Sequence, residues 1–434
     1  MPITPATLAF DANGTPYSET YGDIYHSARG GLEQARHVFL GGNGLPQRWG
    51  GRHQFTILET GFGQGLNFLT TWQAWREDPQ RSARLHFLSV EKHPFSRSDL
   101  AELHRRHPEI AELSAQLRGQ WPELTAGFHR LEFENGELTL TLAFGDAIAC
   151  VPQFVAAPDA IFLDGFSPAK NPDLWSAPLL REIAWLAAPG ATTATWAVAA
   201  PVREHLAQAG FRWEKARGYA AKHEMLVATL DDDAAPIPAG KSAKRANTRI
   251  AVVGAGLSGS LTAERLAAKG FTVTLFERHA RPAQETSGNL AAAMLPVLSL
   301  DDARLSRLNR ASFLYANRYL ARFGFGTANS PVRGASSGVL YIARDAAHAE
   351  KQREILARNG FPESFAHWVD AEAGSELVGA RVAGGGWWFP NGSYANPASL
   401  CSAALTGSAV SLRFNTPVAA VSEIDGTWGL SGAD

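Results

Sequence analysis

Two glycine-rich stretches carry the chemistry most plainly. Glu59-Thr60-Gly61-Phe62-Gly63-Gln64-Gly65 follows the apolar run 55–58, and Gly254-Ala255-Gly256-Leu257-Ser258-Gly259 follows the apolar run 250–253. Each has the form strand, tight turn, helix start, which lets backbone N–H groups approach a nucleotide closely. An acidic residue closes the next strand in both cases: Glu91 after 85–90, and Glu277 after 271–276. A carboxylate there can accept hydrogen bonds from both hydroxyls of a ribose. Gly254 and Glu277 are separated by the roughly twenty residues that ribose recognition requires. Two further carboxylates end apolar runs, Asp146 after 138–144 and Asp164 after 160–163.

The elements that must hold these groups alternate along the first half. Helices are expected at 66–75, around 179–186 and around 202–209, and strands at 55–58, 85–90, 138–144, 160–163, 191–196 and near 224–230. Such alternation predicts a doubly wound α/β sheet with its ligand at the strand carboxyl ends. The first loop, Glu-x-Gly-x-Gly-x-Gly, is not the Gly-x-Gly-x-x-Gly of dinucleotide enzymes. It resembles the S-adenosylmethionine loop of class I methyltransferases, and Glu59, Gly61, Phe62, Gly63, Gly65, Asn67, Glu91 and Asp146 are then the candidate cofactor contacts. A cofactor without phosphates needs close backbone approach and no anion cradle.

Asp164 opens the most distinctive stretch, Asp164-Gly165-Phe166-Ser167-Pro168-Ala169-Lys170-Asn171-Pro172-Asp173-Leu174-Trp175. Prolines fix its path after a buried strand. An amine must lose a proton when it attacks a sulfonium methyl, and a carboxylate can orient it and take that proton. Asp164 is therefore the candidate catalytic residue, with Phe166, Lys170 and Trp175 as candidate substrate contacts by proximity. A turn or capping aspartate is the other reading.

In the second half the full Gly-x-Gly-x-x-Gly, between a strand and a helix, points to FAD or NAD through Gly254, Gly256, Gly259 and Glu277. Ser287-Gly288-Asn289 resembles the flavin-contacting turn of glycine- and D-amino-acid-oxidase-like flavoproteins; a capped helix start is the alternative for Ser287 and Asn289. Gly384-Gly385-Gly386-Trp387-Trp388-Phe389-Pro390 resembles the segment that precedes the substrate domain's return in such flavoproteins; core packing of a sheet edge is the equal alternative. The stretch 411–418 looks like the strand whose Pro417-Val418 backbone lies beside the adenine.

Four segments together resemble the bifunctional tRNA-modifying MnmC family. They are 162–172, 61–68, Val38-Phe39-Leu40-Gly41-Gly42-Asn43 and Lys222-His223-Glu224-Met225-Leu226. The resemblance runs through the whole chain and implies an N-terminal Rossmann-like class I methyltransferase domain at 1–232. A linker at 233–248 and an FAD-binding, D-amino-acid-oxidase-like α/β domain at 249–434 follow. It implies a methyltransferase acting on 5-aminomethyl-2-thiouridine at the tRNA wobble position. The attached oxidase would remove the carboxymethyl group from the precursor, and the partner would be the anticodon stem-loop. Against the family pattern the oxidase half stops early, about a third of the usual length being absent. The expectation is an incomplete domain that binds FAD poorly and exposes apolar surface.

Composition sets the remaining bounds. The 434 residues accommodate two domains. A hydrophobic fraction of 45% with 19% charged residues suits a soluble globular chain. No signal sequence or membrane-length apolar run is visible, and two cysteines, Cys150 and Cys401, make neither a disulfide framework nor a metal site. A cytoplasmic, metal-free protein is expected. The net charge of −2 gives no overall nucleic-acid footprint, although Arg203, Arg212, Lys215, Arg217 and Lys222 cluster, as do Lys241, Lys244, Arg245 and Arg249. A small-molecule amine methyltransferase joined to a flavin amine oxidase is the competing reading.

Overall fold

The computed structural model describes residues 2–27, 29–220, 222–231 and 248–432. The chain divides into two compact units, 1–241 and 242–434. Nearly all of the expected linker, with Lys241, Lys244 and Arg245 in it, lies outside the described residues.

The first unit opens with a small antiparallel sheet of three short strands, β1 (Ala9–Phe10), β2 (Pro16–Ser18) and β3 (Asp23–Ile24). The main sheet follows in chain order: β4 (Phe55–Thr60), β5 (Leu85–Glu91), β6 (Gly127–Phe133), β7 (Leu138–Phe144), β8 (Ala160–Phe162), β9 (Thr192–Thr195), β10 (Phe211–Arg217) and β11 (Glu224–Leu230). Its eight strands lie in the order β10-β11-β9-β8-β4-β5-β7-β6. The five central strands are parallel, while β11 runs against β9, β10 against β11 and β6 against β7. The expected doubly wound α/β sheet is present, with antiparallel hairpins at both edges. Strands β6 and β10 are additions to the sequence-based expectation.

Every residue of β4 is buried, including Thr56, Glu59 and Thr60, as befits a central strand covered on both faces. The helix Leu66–Glu77 leaves β4 through Gly65, whose φ of 74° is left-handed. Phe68 and Trp72 of this helix are fully buried against Phe87 and Phe133, the Trp72 and Phe133 rings lying 4.5 Å apart. Each such ring contributes about 1.5–3 kcal/mol on burial. This packing fixes the helix start, and with it the glycine loop, against the end of the sheet. Chain order switches sides between β5 and β8, so the crevice beyond β4 is a topological switch point.

The second unit holds a parallel three-stranded sheet, Arg249–Val253, Thr272–Phe276 and Val410–Arg413, with Thr272–Phe276 central. The helix Leu257–Ala268 packs on it through Ala263 and Ala267. In a separate antiparallel sheet, Gly386–Phe389 is the central strand between Val339–Ile342 and His367–Val369. Trp387, Trp388 and Phe389 are buried there, so this stretch is core of a sheet centre and not of a sheet edge. The strands Ala420–Ile424 and Thr427–Ser431 pair as a hairpin. Among the described residues no helix is long and apolar enough to cross a membrane.

Candidate functional site

A cleft of about 270 Å³ opens at the carboxyl ends of β4, β5, β7 and β8. Its floor is the glycine loop from Gly61 to Gln64, with Asn67 in the first turn of the following helix. Glu91 and Lys92 enter from β5, Asp146 follows β7, and Asp164, Gly165 and Phe166 follow β8. Residues brought together here from the sequence-based set are Gly61, Phe62, Gly63, Asn67, Glu91, Asp146, Asp164 and Phe166. Gly65 shapes the loop from behind.

Glycine is required at Gly61 for two reasons. Its φ is 134°, and a β-carbon there would lie 3.1 Å from the Asp164 carbonyl oxygen. Only an absent side chain lets the first loop approach the Asp164 turn. The Glu91 carboxylate accepts the Gly63 N–H and the His93 N–H, each at 2.7 Å, which leaves one lone pair on each oxygen. The expected ribose acceptor thus also braces the loop. Asp146 caps the short helix Ala147–Cys150 through its Ile148 contact and pairs with Lys92 at 2.9 Å.

Four polar side chains are linked from behind the cleft into it. Ser89 donates to Glu59 at 2.6 Å, and the Asn67 amide nitrogen donates to Glu59 at 2.9 Å and to Asp164 Oδ2 at 2.7 Å. Asp164 Oδ1 accepts the Gly165 N–H at 2.8 Å and the Trp196 indole N–H at 3.3 Å. Both hydrogens of the Asn67 amide are therefore spent on carboxylates. Asn67 links two acids, a role its sequence position did not announce. Glu59 is 0% exposed, and burial pushes its carboxyl up to about 8, opposed by its bonds from Ser89 and Asn67. Burial likewise raises Asp164 to about 6, against the bonds from Asn67, Gly165 and Trp196.

The rim comes from sequence that carried no signal. Thr4–Thr7, Tyr21 and Tyr25 close over the cleft. Tyr21 stacks on Phe166 with ring centres 4.6 Å apart, and Tyr25 meets Phe166 edge-on at 5.0 Å. Asp23 accepts the Ser167 N–H at 2.9 Å, and His93 bonds the Thr4 carbonyl at 2.9 Å. Two of the expected substrate contacts stand apart from the lining. Trp175 is 3% exposed, and its indole donates to the Phe166 carbonyl at 2.8 Å. The turn Pro172–Trp175 points it into the core, where it supports the loop and does not face an acceptor. Lys170 is exposed outside the cleft.

The second unit repeats the loop design. Gly254 has φ 95° with open space where a β-carbon would project, and a β-carbon on Gly259 would collide with the Gly254 carbonyl. Glu277, 7% exposed, accepts the Ala255 N–H at 2.7 Å and the His279 N–H at 2.9 Å. Ser287 Oγ accepts the Leu257 N–H at 3.0 Å, capping the helix that Gly256 begins. Asn289 is exposed and its carbonyl accepts from the Asn396 amide at 3.3 Å. Val418 is half-buried beyond the strand Val410–Arg413. The close loop approach, the open space at Gly254 and the ribose-type acid fit a dinucleotide.

Comparison with known proteins bears on both units. Residues 108–231 match a family of S-adenosyl-L-methionine-dependent methyltransferases, and residues 249–434 match the FAD dependent oxidoreductases. The chain is 51% identical over 414 residues to the tRNA 5-methylaminomethyl-2-thiouridine biosynthesis bifunctional protein MnmC of Azoarcus sp., covering 95% of this chain and 64% of that one. For the MnmC protein of Thiobacillus denitrificans the identity is 47%, covering 98% and 67%. The chain belongs to the MnmC family. It spans a little under two thirds of the length of the Azoarcus relative. Among solved structures, MNMC2 from Aquifex aeolicus matches at 26% identity with a TM-score of 0.40, covering 54% of this chain and 73% of that one. A glycine oxidase from Bacillus cereus matches at 20% identity with a TM-score of 0.34, covering 42% and 49%. The chain is thus an α/β protein with a methyltransferase region followed by an FAD-dependent oxidoreductase region.

Proposed function

We propose that the first unit methylates the aminomethyl nitrogen of 5-aminomethyl-2-thiouridine at the tRNA wobble position, with Asp164 as its catalytic residue. The observation that carries this reading is the half-buried Asp164 carboxylate, held at the end of β8 against the Gly61 loop within one cleft. The methyltransferase domain then occupies 1–232 and the oxidoreductase domain 249–434, with a linker at 233–248.

Gly61, Phe62, Gly63 and Gly65 would hold the cofactor by backbone approach, Glu91 by the ribose hydroxyls, and Asp146 beside it. Glu91, Asp146 and Asp164 give the cleft an acidic wall suited to a cation. When bound, S-adenosylmethionine supplies a methyl group on a sulfonium sulfur, which leaves as the thioether while the carbon–nitrogen bond forms. Asp164 does the rest of the work. With Oδ1 taken by Gly165 and Trp196, and Oδ2 by Asn67, the remaining Oδ2 lone pair accepts an acceptor N–H and orients the nitrogen lone pair. The same oxygen takes the proton the nitrogen sheds and passes it to solvent. Phe166, stacked under Tyr21, forms the apolar wall beside it.

In the second unit Gly254, Gly256, Gly259, Glu277, Ser287, Asn289 and Val418 would hold FAD. When bound, FAD takes the electron pair of an amine C–H bond, which suits removal of the carboxymethyl group from 5-carboxymethylaminomethyl-2-thiouridine.

The pH dependence tests the assignment of Asp164. Its carboxyl sits near 6, so the base form is gained as pH rises through that value. With saturating cofactor and RNA, the methylation rate is expected to fall as pH drops through about 6 and the Asp164 carboxyl takes up a proton. A rate already flat from pH 5 to 8, in single-turnover measurements, would remove Asp164 from the proton path.

A further inference from the structure

A cation stands beside the acceptor side of the cleft. Lys222 lies in the turn between β10 and β11, and its ammonium sits 3.3 Å from the centre of the Trp196 ring. The same indole donates to Asp164. The Lys222 ammonium is thus one aromatic ring away from the carboxylate of the acceptor side. Among the described residues it has no carboxylate within ion-pairing distance, and Asp23 acts on it only at longer range. Its neighbour on the hairpin behaves otherwise: Lys215 is paired with Glu224 at 2.8 Å. Lys170, on the loop that follows Asp164, is a second exposed cation and reaches towards Gly22, beside Tyr21. Asp23, which accepts the Ser167 N–H, stands near this rim, which Glu19 and Asp173 line.

From this arrangement we infer that Lys222 and Lys170 form a phosphate clamp at the acceptor mouth, gripping the RNA backbone that flanks the nucleotide presented to Asp164. This rests on the proposed function and names the residues that read the polymer and not the base. The chemistry is that of a ribose-phosphate chain: fixed anionic groups flank each base, and two cations near one carboxylate can meet them. Trp196 contributes by holding the Lys222 ammonium over its face, at little entropic cost to each encounter. A near-neutral protein with a net charge of −2 needs such local cations if it is to hold RNA at all.

The test is filter binding of the full chain to tRNA over a range of salt, for wild type, Lys222→Met, Lys170→Met and the double variant. Methionine keeps the apolar stem over Trp196 and removes only the charge. Each single change is expected to weaken binding several-fold and to lower the slope of log affinity against log salt by about one, the pair by about two. Lys215→Met, which removes a cation already paired with Glu224, serves as the comparison and leaves the slope as in wild type. A slope unchanged in Lys222→Met and Lys170→Met, in a wild type that binds tRNA, overturns the clamp and spares the methylation reading. A wild type that does not bind tRNA at any salt overturns both.

Discussion

Replacing Asp164 by asparagine lowers kcat/KM for methyl transfer by about a hundredfold to ten-thousandfold, the range that loss of a positioned base covers. The geometry makes asparagine a severe change. Oδ1 accepts from Gly165 and Trp196, and Oδ2 from Asn67, so every neighbour of this carboxylate is a donor. An amide must turn its own NH₂ towards one set of those donors, leaving a donor–donor conflict in a half-buried site. Cofactor affinity, measured by calorimetry on the same protein, is expected to stay within a few-fold of wild type. The loss then falls on the acceptor step. An Asp164→Asn protein with near-normal turnover would show that the carboxylate is a turn residue.

Gly61→Ala is expected to weaken S-adenosylmethionine binding by at least about tenfold, or about 1.4 kcal/mol. Two costs combine. A φ of 134° is a conformation that L residues rarely adopt, worth about 1–3 kcal/mol in strain. The new methyl would also stand 3.1 Å from the Asp164 carbonyl, forcing loop and acid apart. Gly51→Ala is the matched comparison: its φ is 67° but nothing lies within 4 Å of the added carbon. That variant pays strain away from the cleft, and its cofactor affinity is expected to match wild type. Equal affinity for the Gly61 variant and wild type would mean that the loop does not hold the cofactor.

What the sequence made legible is what strand ends encode locally. Glu59 to Gly65, Glu91, Asp146 and Asp164 each follow an apolar run, so the same residues that mark a buried parallel strand also mark where its carboxyl end delivers a side chain. The rest depends on long-range return of the chain. Tyr21 and Tyr25 reach the cleft from the turns that flank a strand of two residues, too short to show a period. β10 is an exposed edge strand whose polar residues hide its alternation, and β6 buries His129 where an apolar residue would have signalled the inward face. Trp175 shows the opposite failure. Closeness to Asp164 in sequence suggested a contact, but one turn of tight helix carries the indole to the other side of the loop. Asn67 was visible as a loop neighbour; its bond to Asp164 needed the helix to be placed first.

The most direct test of the central claim is transfer of a labelled methyl group from S-adenosylmethionine to tRNA that carries 5-aminomethyl-2-thiouridine at the wobble position, followed by nucleoside analysis. Label is expected in 5-methylaminomethyl-2-thiouridine with wild type and almost none with Asp164→Ala. A folded wild-type protein that binds S-adenosylmethionine by calorimetry yet leaves that tRNA unlabelled would contradict it.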